Sequence, residues 1–157
     1  MATGRAIPKR WFLALAMAGF ALAGPVRAGD VVLGPVPARV VQVVDGDTLV
    51  VRAHIWLGQD VETLVRVSGI DAPELKGQCE LERTRALASR DHLASRVAGG
   101  TVVLTQVRYE KYGGRVLAQV RLADGTDLAR DMIVAGHARP YDGGKRGVWC
   151  EEARAGE

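Results

Sequence analysis

Apolar and polar residues alternate in short runs after residue 38, and this period of two predicts β-strands. The first two strands run from Arg39 to Val44 and from Leu49 to Arg52. Asp45-Gly46 lies between them, a dipeptide typical of hairpin turns. A second turn is expected around Gly58, and a third strand follows through residues 64–68. This part of the chain therefore predicts a three-stranded meander.

From residue 79 the apolar period changes to that of an amphipathic helix, which we expect from Cys79 to Val97. Gly99-Gly100 would end this helix. One face is predicted to be buried, and the residues assigned to it are Leu81, Leu87, Ala88, Ala94 and Val97.

Two further strands are predicted at residues 101–107 and 115–122, linked by "RYEKYGG". Asp127 can cap a short helix that continues through Ala135. The order is then three strands, a helix, two strands and a helix. It favours an α+β fold dominated by β-structure, a five-stranded OB-type Greek-key barrel with helices packed on it.

The N-terminal residues have the order of a secretory signal peptide. Basic residues occur in Met1–Arg10, Trp11–Gly24 is apolar, and cleavage is expected after Ala28. A membrane anchor is the alternative, but an apolar core of roughly 14 residues is short of the ~20 that span a bilayer. We therefore predict a signal peptide at residues 1–28, a leader at 29–37 and one domain at 38–157. The mature protein would be periplasmic or extracellular, without stable membrane association.

Signal removal changes the meaning of the net charge. The whole chain carries a formal charge of +3, but residues 1–28 include four basic residues and no acidic one, so the mature chain would be near −1. Bulk charge is therefore weak support for a nucleic-acid partner, and any anion site must come from local placement.

The chain has two cysteines, Cys79 and Cys150. In an oxidising compartment such a pair usually forms a disulfide. Two free thiols are the alternative, and metal binding by two cysteines without a histidine pair is less favoured. The bridge would close a long loop and fasten the C-terminal tail.

Three stretches combine charge with turn residues, and each has a plain structural explanation when taken alone. "DGDT", which contains Asp47, could be only a hairpin. "RVSGIDAPE", which contains Arg66 and Asp71, could hold a helix cap and a salt bridge. "EKYGGR", which ends at Arg115, could be a solvated turn.

Together and in this order, "VVDGDTLVV", "RVSGIDAPE" and "EKYGGRVLA" resemble the staphylococcal nuclease (thermonuclease-like) family, over about residues 40–141. The resemblance implies a calcium-dependent endonuclease, a phosphodiester hydrolase acting on DNA and RNA. It also implies 3′-phosphate ends. Little base specificity is expected because few aromatic residues are available to stack on bases, and we further predict single-stranded or unstructured substrate and a monomeric protein.

The resemblance also implies roles for individual residues. Asp47 and Asp71 would be carboxylate ligands of Ca²⁺, with the backbone carbonyl of Ala72 as a third ligand. Glu74 would orient and deprotonate the attacking water. The remaining residues would contact the substrate: Arg66 and Arg115 as the phosphate clamp, and Lys111, Tyr112 and Tyr141 as further contacts.

The sequence departs from the family pattern at two of these positions. Ala72 stands where the best-known relative has threonine, which matters little if only the carbonyl is a ligand. Arg115 is aligned across a one-residue insertion at Gly114. Two other interpretations stay open, a non-catalytic barrel that binds nucleic acid or protein, and a calcium-stabilised extracellular module.

Overall fold

The computed structural model describes residues 31–110 and 114–150, together with Met1. The predicted signal peptide therefore lies outside the described residues. Within them the chain forms eight strands and two helices. The strands are β1 (Val31–Val32), β2 (Val36–Val43), β3 (Thr48–Trp56), β4 (Gln59–Val67), β5 (Ile70–Asp71), β6 (Thr101–Tyr109), β7 (Arg115–Leu122) and β8 (Arg139–Pro140), and the helices are α1 (Glu80–Arg96) and α2 (Leu128–Val134).

Five strands close into a barrel, in the order β2, β3, β4, β7, β6 and back to β2. The contact between β4 and β7 is parallel, and the other four are antiparallel. The helix α1 lies between β5 and β6 in the chain. The predicted OB-type barrel with helices packed on it is confirmed.

The barrel interior follows the alternation of each strand. Leu49, Val51 and Ala53 of β3 point inward, as do Val65 and Val67 of β4, and all five are buried. Side chains of the intervening positions point to the outer face, because successive residues of a strand face opposite sides. The outer face is where the charged residues of interest lie.

Strand β6 bends and pairs with two different strands along the same edge, β2 and β1. Residues 101–104 pair with β2, whereas Val107 and Arg108 pair with β1. The change occurs at Gln106, whose φ of 53° is in the left-handed region and whose backbone N–H donates to Leu33 O at 3.1 Å. Residues 31–37, assigned from sequence to a leader, thus contribute β1 and the start of β2.

Helix α1 was predicted within one residue of its ends, but its predicted buried face is only partly right. Val97 is buried as predicted and Leu81 is partly buried, whereas Leu87, Ala88 and Ala94 are exposed. The buried residues are Glu82, Ala86, Ser89 and Leu93. Apolarity misled the prediction because two polar side chains on the buried face are satisfied internally: Glu82 accepts backbone N–H groups, and Ser89 Oγ donates to His137 O at 2.8 Å. No helix in the described ranges is long and apolar enough to cross a membrane.

Candidate active site

The turn that connects β2 and β3 holds Asp47 at the outer face of the barrel. The Asp45 carboxylate accepts the backbone N–H of Asp47 at 3.1 Å, and Val44 N–H donates to Thr48 O at 2.9 Å. Gly46 lies so close to α1 that a Cβ there would be 2.1 Å from Ser89 Oγ. Only glycine fits without displacing the helix, so Asp45-Gly46 shapes the turn and leaves Asp47 buried behind it.

Asp47 and Arg66 form a buried ion pair. Arg66 Nη1 donates to Asp47 Oδ1 at 2.8 Å, and each side chain is 5% exposed. The pairing follows from the register of β3 and β4, in which Thr48 lies opposite Arg66. Asp47 also accepts from Thr48 Oγ1 at 2.9 Å and from the backbone N–H of Ala72 at 3.3 Å. Burial raises the pKa of Asp47 to about 6, although the Arg66 charge and these hydrogen bonds oppose the rise.

Asp71 lies at the end of β5 and is almost completely buried. Its Oδ2 accepts two hydrogen bonds from Arg139, at 3.1 Å from Nε and 3.0 Å from Nη2. Its Oδ1 is buried and accepts no hydrogen bond. Two other guanidiniums approach this Oδ1, Arg146 at 3.3 Å and Arg66 at 3.9 Å. Asp71 therefore presents a buried, unsatisfied oxygen to a positively charged neighbourhood.

Glu74 is half-exposed and lies on the loop after β5. Its carboxylate contacts the Arg146 guanidinium directly. Glu82 of α1 stabilises this loop. Its carboxylate accepts the backbone N–H groups of Gln78 at 3.0 Å and of Glu74 at 3.4 Å. Partial burial lowers the pKa of Arg146, but contact with Glu74 and the charges of Asp71 and Asp47 outweigh this, and the net shift is upward.

A C-terminal segment, defined here as residues 142–150, carries Arg146 to this site. The predicted disulfide between Cys79 and Cys150 is confirmed, with 6.1 Å between the Cα atoms. Cys79 is also the N-cap of α1. Arg139 adds a second attachment: its guanidinium contacts Gly147 O and stacks 4.1 Å above the Trp149 ring.

The loop after β5 and the C-terminal segment border an open cavity of about 340 Å³. Asp71, Glu74 and Arg146 line it, together with Lys76. The cavity thus opens beside the acidic side chains rather than at the far end of the barrel.

The acidic side chains have the donor chemistry of a hard cation site. A carboxylate offers about four lone pairs; Asp47 uses three of them in the contacts above, and Oδ1 of Asp71 uses none. Oxygen donors of this kind suit calcium. A separate group of ligand types, Cys79, Glu82 and Cys150, also lies within 4.8 Å, but both sulfur atoms are bonded to each other and are not free to bind metal.

The predicted clamp residue Arg115 lies on the same outer face as Arg66. In the parallel register Leu64 lies opposite Arg115 and Arg66 opposite Leu117, so the two arginines are two positions apart on neighbouring strands. The Arg115 guanidinium contacts Glu110, with 3.2 Å from Nη2 to Oε1, instead of the Asp47–Asp71 cluster. To meet a phosphate beside Arg66, Arg115 must leave Glu110.

The other predicted substrate contacts fall in different places. Lys111 and Tyr112 lie outside the described residues. Tyr141 follows β8, where its hydroxyl donates to Gly144 O at 2.7 Å and its backbone N–H donates to Gly69 O at 3.0 Å. It therefore lies where the C-terminal segment begins.

Sequence reasoning missed Arg139, Arg146 and Glu110. The disulfide offered a way to find Arg146, because it lies four residues before Cys150 while Glu74 lies five residues before Cys79. A bridge between the cysteines brings these two charged residues into the same region. Arg139 gave no comparable indication, since its contact with Asp71 depends on the pairing of β5 with β8.

Comparison with known proteins shows the family. The family model described as staphylococcal nuclease homologue matches residues 64–152, which is more than half of the chain. The chain belongs to the staphylococcal nuclease homologue family. The match includes Arg66, Asp71, Glu74, Arg115 and both cysteines, and Asp47 lies ahead of it.

Curated relatives point the same way. The chain is 34% identical over 123 residues to a protein of Escherichia coli described as an uncharacterized endonuclease, covering 78% of this chain and 69% of that protein. The counterpart in Escherichia coli O157:H7 gives the same identity and coverage. A probable endonuclease, LCL3, of Schizophyllum commune (strain H4-8 / FGSC 9210) is 33% identical over 87 residues, covering 50% of this chain and 30% of that protein.

Proposed function

We propose that this protein is an exported, calcium-dependent endonuclease that hydrolyses phosphodiester bonds of DNA and RNA with little base specificity and leaves 3′-phosphate ends. Membership of the staphylococcal nuclease homologue family and relatives described as endonucleases support the nuclease activity. The single observation that carries the proposal is the convergence of Asp47, Arg66 and Asp71 on the barrel surface beside Glu74.

Asp47 and Asp71 would hold the metal ion, together with the carbonyl of Ala72. The buried Oδ1 of Asp71 supports this assignment, because it accepts no hydrogen bond and faces the guanidiniums of Arg146 and Arg66 only as ion pairs, which leaves its lone pairs for a metal ion. A bound Ca²⁺ would supply positive charge against the phosphate oxygens. Asp47 must be ionised to be a ligand, and with a pKa of about 6 it is mostly ionised at neutral pH.

Glu74 would be the general base. It is half-exposed and borders the cavity, so a water molecule can reach its carboxylate. A carboxylate within hydrogen-bond distance of a water can take its proton as the water attacks phosphorus. The contact with Arg146 must open before Glu74 can do this.

Arg66 and Arg115 would bind the phosphate. Guanidiniums fork onto two oxygens, neutralise charge that grows in the transition state and hold phosphorus in line with the nucleophile. Contacts to the sugar-phosphate backbone do not read sequence, which supports broad base specificity. The backbone of a single strand is more flexible than that of a duplex and can bend into the site, which supports the proposed preference for unstructured substrate.

The proposed export is supported by the signal-peptide pattern of residues 1–28 and by the disulfide. A disulfide between Cys79 and Cys150 is typical of proteins from oxidising compartments. The mature protein is proposed to work as a monomer in the periplasm or outside the cell, without stable membrane association.

The test is digestion of heat-denatured DNA and of RNA by the purified mature protein, with calcium and then with a chelator. We expect calcium-dependent cleavage to products that a polymerase extends only after phosphatase treatment. Digestion that survives chelation would rule out the metal mechanism. No digestion under either condition would instead favour a non-catalytic binding module of the same fold.

A further inference from the structure

The Arg146 guanidinium lies beside Asp71, where the proposed metal ion would bind. Its Nε lies 3.3 Å from Asp71 Oδ1, the buried oxygen that accepts no hydrogen bond, and its Nη1 contacts Glu74. One guanidinium thus binds both the proposed metal ligand and the proposed general base. We propose that Arg146 is a built-in competitor of the metal ion and sets the metal affinity of the site.

This inference rests on the proposed function, and three features of Arg146 support it. The first is exposure: the Arg146 side chain is 39% exposed, whereas that of Arg66 is 5% exposed. A partly exposed guanidinium can return to water at little cost, because its charge is never fully desolvated. Arg146 is therefore a displaceable counter-cation, and Arg66 is a permanent one.

The second feature is space. Arg146 lines the cavity of about 340 Å³ between the loop after β5 and the C-terminal segment. A guanidinium that leaves Asp71 can turn into this cavity without unfolding its own segment. Arg139, by contrast, donates two hydrogen bonds to Asp71 Oδ2 and stacks on Trp149, so it stays where it is.

The third feature is the covalent tether. The disulfide to Cys79 lies four residues from Arg146 and keeps the guanidinium close to Asp71 even when the contact opens. A short tether gives a high effective concentration, so a weak contact competes well. Loss of the bridge should therefore weaken the competition and favour metal binding.

The test is isothermal titration calorimetry of the full mature chain with calcium, comparing wild type with Arg146→Gln and with Lys145→Gln. Lys145 precedes Arg146 on the same segment, is exposed and makes the same change in net charge. We expect Arg146→Gln to tighten calcium binding by roughly 3- to 10-fold relative to Lys145→Gln, the range expected for a partly screened ion pair.

An equal Kd for the two variants would overturn the proposal, and so would weaker binding by Arg146→Gln. Failure of all three proteins to bind calcium would instead show that the metal site itself is wrong, and the proposal would fall with it. Calorimetry measures binding without turnover, so loss of catalysis cannot imitate either result.

The double variant Cys79→Ser/Cys150→Ser tests the tether, and serine keeps an N-cap on α1. We expect tighter calcium binding in the same direction, with little further gain when Arg146→Gln is added, because both changes act on one contact. Full additivity of the two effects would contradict the role assigned to the disulfide.

Discussion

Two carboxylate–guanidinium pairs lie in the same site and differ in burial. Asp47 and Arg66 are each 5% exposed, whereas Glu74 is 50% and Arg146 is 39% exposed. The first pair is almost fully buried, so separating its two charges would leave both with little access to water, and the pair stays together. The second pair lies at the edge of the cavity, where water replaces either partner easily. Identical chemistry thus gives a fixed framework in one place and a movable contact in the other.

The difference in burial between the two pairs predicts that a substitution of Glu74 lowers activity strongly and changes the free energy of unfolding only slightly. Glu74→Gln keeps the shape but removes the base, so cleavage of heat-denatured DNA should fall by roughly 10²- to 10⁴-fold. The thermal midpoint should stay close to that of wild type, since an exposed pair contributes about 1 kcal/mol or less. Glu80→Gln, on the first turn of α1, is the control and should keep full activity. A large loss of folding in Glu74→Gln would mean that this pair is structural after all.

Arg66 should differ from Glu74 in its effect on folding, because its removal leaves Asp47 as an unpaired buried charge. Arg66→Ala should lose about 3–5 kcal/mol of unfolding free energy in urea titrations. It should also lose nuclease activity. Arg52→Ala is the matched control on the neighbouring strand, since Arg52 pairs with Glu62 and both are about half exposed. It should lose about 1 kcal/mol or less. Similar losses in the two variants would remove the distinction by burial.

The disulfide should matter more for stability than the ion pair that it holds. The Cys79–Cys150 bridge joins residues 71 positions apart, so Cys79→Ser/Cys150→Ser should lose about 2–4 kcal/mol of unfolding free energy. Arg146→Gln removes a partly exposed guanidinium that contacts Glu74 and Asp71. It should lose about 1 kcal/mol or less, because the Asp71 carboxylate keeps the charges of Arg139 and Arg66 beside it. Chemical denaturation of both variants, with chelator present, measures which of them loses more unfolding free energy. An equal loss would mean that the C-terminal segment is held by its charges.

The buried Asp47 carboxyl should also make the free energy of unfolding depend on pH. The pKa of Asp47 is raised from 3.8 to about 6, so the folded protein holds a proton on this carboxyl at pH values where the unfolded chain has lost it. The contribution of Asp47 is therefore fully present below about pH 4 and is lost as the pH rises through about 6. Measured with chelator, the unfolding free energy of wild type relative to Asp47→Asn should fall by up to about 3 kcal/mol over that range. A constant difference would show that Arg66 holds the Asp47 pKa at its ordinary value, and a difference that rises with pH would show that Arg66 lowers this pKa below it.

Local residue order determined the barrel and the bounds of α1, because strand alternation, turn dipeptides and helix caps act between near neighbours. Asp45-Gly46 predicted the turn, Cys79 and Gly99 bracketed the helix, and the cysteine count predicted the bridge. The motif match also drew attention to Asp47, Arg66, Asp71 and Glu74 before any coordinates. The buried face of α1 was predicted incorrectly because Glu82 and Ser89 look like solvent-facing residues until their backbone partners are known. The partner of Ser89 is the carbonyl of His137, 48 positions along the chain, so this contact could not be predicted from the helix itself.

Tertiary structure alone decided which charges meet. Arg139 reaches Asp71 because β8 pairs with β5, and Arg146 reaches Glu74 because the disulfide brings the C-terminal segment across the loop after β5. Arg115 lies on the outer face with Arg66, yet its guanidinium contacts Glu110. The contacts of Arg146 with Glu74 and Asp71 join residues 72 and 75 positions apart, and a charge gives no periodic indication of its distant partner. Burial then sets how strongly each pair is held, and burial is a property of the assembled barrel rather than of any segment of the chain.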